Sequence, residues 1–394
     1  MAVYRSQLDH VLICLTSCGL CLIVFGLYVL YHNYDVYFPR HHGIHPNHRD
    51  HMARKNTVFA EILQGLPKHG WPSLVETPPT VDTLPYRTLY DVVESWNPDN
   101  PDEPKFFQET LQHFDYGNPR EREIAARYRD AEVPFKIYNV SGFLDVSHKW
   151  TDEYLTAELE KMKRKSSVER SKNNHFMYWK GRKSSKKGFI PPTEDVKGMT
   201  FPQWLELAKA ADAMKLSNAS AHYYFMAGSD AGDHGKRTFI ARDLSLFSTT
   251  TENFFITRVN LNKGIQCRFG MRGIIAESHY DSGRNMIAML RGSKRYILNP
   301  PKACSKLAII SDAKHPSFRH SVIDWSDLTQ AKSHDFEHVE AIDTIVHTGE
   351  VLYVPSFWFH YPISLDYSIQ CNSRSGFPDS MIGQSEIHKC FGRK

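Results

Sequence analysis

Apolar and polar positions along the chain follow two regimes. From Val11 to Tyr31 the run VLICLTSCGLCLIVFGLYVLY holds no charged residue. A helix of this length, at about 1.5 Å per residue, matches the ~30 Å core of a bilayer, so the pattern predicts a transmembrane helix over 11–31. A cleaved signal peptide is the rival. The run is longer than a typical h-region, and no small-x-small cleavage site follows Tyr31. Beyond Val133 the pattern changes to short runs rich in aromatic and β-branched residues, separated by turn signals. They are Pro134–Val140, His222–Met226, Asn253–Val259, Met286–Leu290, Arg295–Leu298 and Val351–Val354, each of strand length. Helical stretches interrupt them at Thr151–Arg164 and Phe201–Met214, the second with Thr200 as cap and Pro202 in its first turn. The predicted fold is mainly β with flanking helices, an antiparallel barrel or jelly roll with helices packed outside.

The remaining segments give the domain organisation. Residues 1–10 are a short tail, 11–31 the membrane helix, and 32–56 a linker carrying His32, His41, His42, His45, His48 and His51. A solvated stem is the preferred reading of these histidines over a metal tract, because nothing fixes them in a ligand geometry. An N-terminal extension over 57–132 is broken by PPT and NPDNPDEP, a catalytic domain follows over 133–377, and 378–394 form a C-terminal tail. The stretch Lys161–Lys187 holds eleven Lys or Arg against one Glu, which reads first as a solvated loop and second as a contact for an acidic partner.

Composition adds exclusions. With 41% hydrophobic and 23% charged residues the chain is of ordinary folded type, not collagen-like or wholly disordered. A net charge of +4 makes no case for nucleic acid. A homodimer is left open. Cys267, Cys304, Cys371 and Cys390 form no CxxC pair, so neither a zinc site nor a disulfide framework is expected. The basic residues after Tyr31 favour a cytosolic C-terminal domain. The layout of a short tail, one anchor and a long domain, with sequons at Asn139 and Asn218, favours a lumenal one in the endoplasmic reticulum or Golgi.

Candidate chemistry lies in Glu277-Ser278-His279-Tyr280-Asp281. His279 and Asp281 are two apart, so on an extended strand they share a face. A third ligand must come from a distant strand, and His360 is the candidate, following the apolar run Val351–Val354 and the Pro355 turn. Two histidines and one carboxylate on one face form the facial triad of non-haem Fe(II) oxygenases. A buried strand histidine satisfied by hydrogen bonds is the plainer alternative. Lys294, fifteen residues after His279, tips the balance: an ammonium in an otherwise apolar barrel suits the far carboxylate of a dicarboxylate cosubstrate.

The run GMRGIIAESHYDSGRNMIAMLRGSKRYILNPP (Gly270–Pro301), then HPSFRHSVIDW (His315–Trp325) and TGEVLYVPSFWFHYPISL (Thr348–Leu365), resembles the cupin-like JmjC oxygenases. Among them it is most similar to the asparaginyl hydroxylase that inhibits the hypoxia-inducible factor. The resemblance spans about Val133 to Gly376. It implies a double-stranded β-helix that binds Fe(II) through His279, Asp281 and His360, and 2-oxoglutarate through Lys294, with Asn285 and Asn372 lining the pocket. Tyr224, or Tyr223 if the register slips by one, would assist the far carboxylate. It also implies hydroxylation of a protein side chain, with release of succinate and CO₂. Where the family often has Thr or Ser, three residues before the first His, this chain has Ala276, and losing a hydrogen bond to a charged group costs about 1.5–3 kcal/mol. A non-catalytic cupin that keeps the pocket is the alternative that Ala276 favours. Gln266 and Arg268 lead into the site as substrate-facing residues, and substrate choice is assigned to rim loops, chiefly Ala303–Val346.

Overall fold

A computed structural model describes residues 72–95, 107, 109–162, 166–179, 188–214, 219–378 and 381–392. The predicted membrane helix, the His-rich linker, Asn218 and most of the basic residues of Lys161–Lys187 lie outside these. Among the described residues no helix is long and apolar enough to cross a membrane. The placement as a single-pass membrane protein is corrected accordingly, since nothing in the described structure carries it.

The strands run in chain order as β1 Arg87–Thr88, β2 His113–Asp115, β3 Phe135–Tyr138, β4 Ser166–Ser171, β5 His175–Phe176, β6 Glu194–Asp195, β7 His222–Ser229 and β8 Ile265–Gly270. They continue as β9 Ile275–Ala276, β10 His279–Tyr280, β11 Asn285–Arg291, β12 Ser293–Asn299, β13 Glu340–His347, β14 Val351–Val354, β15 Phe359–Ser364 and β16 Ser368–Arg374. Two sheets result. The larger has the order β2-β3-β14-β11-β16-β8-β7-β4-β6, and the smaller β1-β13-β12-β15-β9-β5 with β10 also on β15. All ladders are antiparallel except β2–β3 and β5–β9. The segment before Val133 thus contributes to both sheets, through β1 and β2.

Period-2 alternation divides each strand between two environments. On the larger sheet Phe225, Phe269, Ile369, Cys267 and Cys371 face a core shared with Phe201 and Trp204. That core is roofed by the helix Phe201–Met214, whose Trp204 indole donates to Tyr223 O at 2.7 Å. The alternate positions are polar and face the smaller sheet: Tyr224 meets Lys294, and Gln370 meets Tyr296. The smaller sheet turns Ile297, Tyr361 and Ile363 outward onto Trp325 and Leu89. Between the sheets, Ile287, Met289, Leu298, Ile342, Leu352 and Trp358 fill one part with apolar packing. The rest of the inner space is lined by polar side chains, which is the reverse of an ordinary sandwich core and locates the site.

Five of the six predicted strands and both predicted helices are present, the helices as Asp152–Lys161 behind a Thr151 cap and Phe201–Met214. Asn253–Val259 is not a strand. The Asn253 side chain accepts the Phe255 and Ile256 N–H groups at 2.8 Å each, folding the segment into a turn. The end of the supposed rim loop is likewise a strand, Glu340–His347, hydrogen-bonded between β1 and β12.

The expectation of no disulfides is overturned. Cys267 and Cys371 are direct cross-strand partners on β8 and β16 and are bonded, and Cys304 is bonded to Cys390 at the end of the helix Ile382–Cys390. The separations of 104 and 86 residues leave no local spacing for sequence reading to detect.

Candidate metal centre

The β10–β15 ladder sets His279 directly opposite His360, with ring centroids 4.3 Å apart. Asp281 follows where β10 ends, and Phe357 N donates to its backbone carbonyl at 2.7 Å. One ligand atom from each of His279, Asp281 and His360 lies within 4.8 Å of the others. Ligands about 2.1 Å from one ion and at right angles to each other stand ~3 Å apart, so the three would draw in by less than about 2 Å to take up a metal.

The surroundings fit a divalent cation. His279 Nδ1 is 2.8 Å from Glu277 O, and His360 Nδ1 is 3.2 Å from Trp358 O. A carbonyl only accepts, so each Nδ1 carries the proton and each Nε2 keeps its lone pair for a metal. Burial, with His360 and His320 nearby, pushes His279 well below the usual histidine value, and burial pushes His360 down as well. Both are therefore neutral ligands at neutral pH. Burial alone would raise the Asp281 carboxyl, but the guanidinium groups of Arg374 and Arg319 hold it well below the ordinary range. Its Oδ1 is engaged by Arg374 and lies 3.6 Å from Arg319, while among the described residues Oδ2 has a single long contact of 3.5 Å from Asn285 Nδ2. Oδ2 is thus the oxygen with coordination capacity to spare.

The other predicted residues converge on the same inner space. Asn372 Nδ2 donates to Asn285 Oδ1 at 2.9 Å, orienting the amide that faces Asp281. Lys294 is 1% exposed, and its ammonium donates to Tyr224 OH at 3.1 Å while lying 5.2 Å from that ring's centroid. The one-residue ambiguity resolves to Tyr224 as the hydroxyl that meets Lys294. Tyr296, held neutral by burial, donates to Gln370 Oε1. Gln266 and Arg268 sit beside Asn372 and Gln370 on β8. Ala276 lies on β9 next to the pair Ile275–Ile363.

Three neighbours escaped sequence reading. Arg374 lies two residues beyond Asn372 on β16, so strand periodicity alone would have put it on the inner face. Arg319 adopts a left-handed backbone with φ 77°, a conformation that non-glycine residues keep where the surroundings enforce it. His320 stacks on His279 with centroids 4.9 Å apart and is pushed down to about 4 by burial. Neither of these last two had a spacing signal.

Comparison with known proteins places the chain in a family. Residues 121–373 match the model of the cupin-like domain family. JmjC domain-containing protein D of Dictyostelium discoideum is 29% identical over 107 residues, covering 27% of this chain and 24% of that protein. tRNA wybutosine-synthesizing protein 5 of Danio rerio is 25% identical over 105 residues, 27% of this chain and 30% of that protein. Lysine-specific demethylase JMJ30 of Arabidopsis thaliana is 29% identical over 101 residues, 26% of this chain and 23% of that protein. The matched stretches therefore span less than a third of each relative's length. With most of its length matched by the family model and its inner face built around a two-histidine, one-carboxylate cluster, the chain belongs to the cupin-like domain family, with JmjC proteins among its relatives.

Proposed function

We propose that the protein is an Fe(II)- and 2-oxoglutarate-dependent dioxygenase that hydroxylates a protein side chain. The balanced reaction converts R–H, O₂ and 2-oxoglutarate into R–OH, succinate and CO₂. The observation that carries the reading is the shared inner face: a facial set of ligands at one end, and a buried ammonium held by a tyrosine hydroxyl further in. A facial triad leaves three coordination positions open, which suits a bidentate cosubstrate plus O₂.

Bound Fe(II) would supply the redox chemistry that couples cosubstrate decarboxylation to oxygen insertion. The chain's own residues would do the rest. Lys294 neutralises the far carboxylate of the cosubstrate and fixes its direction in the barrel, with Tyr224 as the second donor. Asn372 orients Asn285, whose amide faces the Asp281 carboxylate. Arg374 and Arg319 keep that carboxylate ionised and fix which oxygen meets the metal. The apolar inter-sheet packing around Leu298, Ile287 and Trp358 keeps water from that side of the site.

The relatives' names point to different substrates, a lysine and a tRNA. A protein substrate is favoured here by the mild net charge of +4, which supplies no nucleic-acid footprint. The test is Fe(II)-dependent conversion of 2-oxoglutarate to succinate by the full chain, run with peptide libraries and with tRNA, and mass spectrometry for one added oxygen. A one-oxygen gain on peptide supports the reading. Turnover on tRNA alone would move the substrate to nucleic acid. 2-Oxoglutarate binding that never turns over would favour the non-catalytic cupin.

A further inference from the structure

The substitution of Ala276 for the family's hydroxyl residue raises the question of what completes the carboxylate pocket around Lys294. Two side chains present themselves. Ser364 stands opposite Lys294 on the β12–β15 ladder, and Ser368 stands opposite Gly270 on the β8–β16 ladder. They are 1% and 0% exposed, and neither Oγ has a hydrogen-bond partner among the described residues. A buried hydroxyl left unpaired costs about 1–3 kcal/mol, so two in one place point to a ligand that pairs with them.

Glycine 270 shows that they share one place. A Cβ built there would lie 2.3 Å from Ser364 Oγ and 3.1 Å from Ser368 Oγ. Both hydroxyls therefore lean over the one backbone position, where any Cβ would push the Ser364 hydroxyl aside, and Gly270 keeps that end of the barrel open. Continuing the β7–β8 register from Phe225 opposite Phe269 brings Tyr224 beside Gly270. The row Tyr224, Gly270, Ser368 of the larger sheet thus faces Lys294 and Ser364 of the smaller one, and the Lys294–Tyr224 hydrogen bond spans the gap. Glu169 pairs with Tyr224 across β4, but Thr193 donates to its carboxylate at 3.1 Å and, among the described residues, no carboxylate lies within ion-pair distance of Lys294.

We propose that Ser364 and Ser368, given room by Gly270, are the hydroxyl donors to the far carboxylate of the cosubstrate, taking over the task that Ala276 cannot perform. The proposal rests on the reading of the site as a 2-oxoglutarate pocket. It makes the pocket selective for a dicarboxylate through one ammonium, one phenol and two serines from both sheets. Ala276 then becomes a relocation of the donor, not a loss of the pocket.

The test is calorimetric binding to the full chain loaded with Mn(II), using 2-oxoglutarate and 2-oxopentanoate, which replaces the far carboxylate with a methyl group. Wild type is expected to bind 2-oxoglutarate the more tightly. Ser364→Ala and Ser368→Ala should each weaken 2-oxoglutarate by roughly ten- to a hundredfold and leave 2-oxopentanoate unchanged. Ser364→Cys, which keeps the shape but supplies only a weak donor, should fall on the same side and carries the test if an alanine variant does not fold. Wild-type affinity for 2-oxoglutarate in the variants, or equal loss of both ligands, would overturn the serine assignment. Failure of wild type to bind either ligand would instead refute the functional reading beneath it.

Discussion

Lys294 gives the sharpest separation between function and stability. The residue is 1% exposed, and its ammonium meets the Tyr224 hydroxyl and ring. A desolvated cation over an aromatic face gains about 2 kcal/mol, and a hydrogen bond to a charged group about 1.5–3 kcal/mol. Removing an ammonium from water costs several kcal/mol even after relaxation. In the ligand-free protein these contributions roughly cancel or leave a net cost, so an apolar side chain of similar length should not hurt. Lys294→Met is therefore expected to raise the unfolding free energy of the ligand-free protein by about 0–3 kcal/mol, within the range seen when buried ions give way to hydrophobes. With Mn(II) and 2-oxoglutarate at a hundred times its Kd, wild type should gain about 2.7 kcal/mol, and the variant nothing. Guanidinium titrations with and without ligand read both effects. A variant destabilised by several kcal/mol without ligand, yet still stabilised by 2-oxoglutarate, would refute the account of Lys294 as a poised counter-ion.

Three further expectations follow from other parts of the molecule. Reducing Cys304–Cys390, which closes a loop of 86 residues, removes about 4–5 kcal/mol on the chain-entropy model; Cys390→Ser should lower the denaturation midpoint and expose the helix Ile382–Cys390 first to proteolysis. His347 is pushed down to about 4 by burial, so the unfolded state binds more protons below pH 6.5, and stability falls as pH falls through that window. Between pH 6.5 and 5 this single group should cost roughly 1.5 kcal/mol, and His347→Gln should flatten the measured slope by close to one proton near pH 5; an unchanged slope would show that His347 titrates normally in the fold. Arg374→Gln releases the Asp281 oxygen that the guanidinium engages, so Mn(II) affinity should fall about ten- to a hundredfold, the range for a partner that orients a ligand, while a normal affinity would mean that Asp281 is positioned without it.

What could be read from the sequence, and what could not, follows from the range of each interaction. His279 and Asp281 are neighbours in the chain, so period-2 geometry alone places them on one face. His360 and Lys294 lie far from that pair in the chain, so position alone, after the Val351–Val354 run and fifteen residues past His279, made them candidates, and the long motif runs gave them their roles. Of the strands that carry the site, β7, β11 and β12 are legible because their outward faces pack against apolar cores and keep a branched and aromatic pattern. Asn253–Val259 has the same composition, but a side-chain amide captures the backbone N–H groups that a ladder would use. The disulfides, Arg319 and the two inner serines arise from contacts between segments far apart in sequence. Ser364 and Ser368 look like ordinary strand polar residues until Gly270 is seen between them.

Whether the three ligands bind a metal that creates the cosubstrate site decides the function. Anaerobic titration of the full chain with 2-oxoglutarate, with and without Fe(II), beside Asp281→Ala, measures this directly through the visible charge-transfer band of the ternary complex. A saturable band is expected that requires both Fe(II) and 2-oxoglutarate and disappears in the variant. No Fe(II)-dependent binding at millimolar 2-oxoglutarate, or equal binding by Asp281→Ala, would contradict the proposed function.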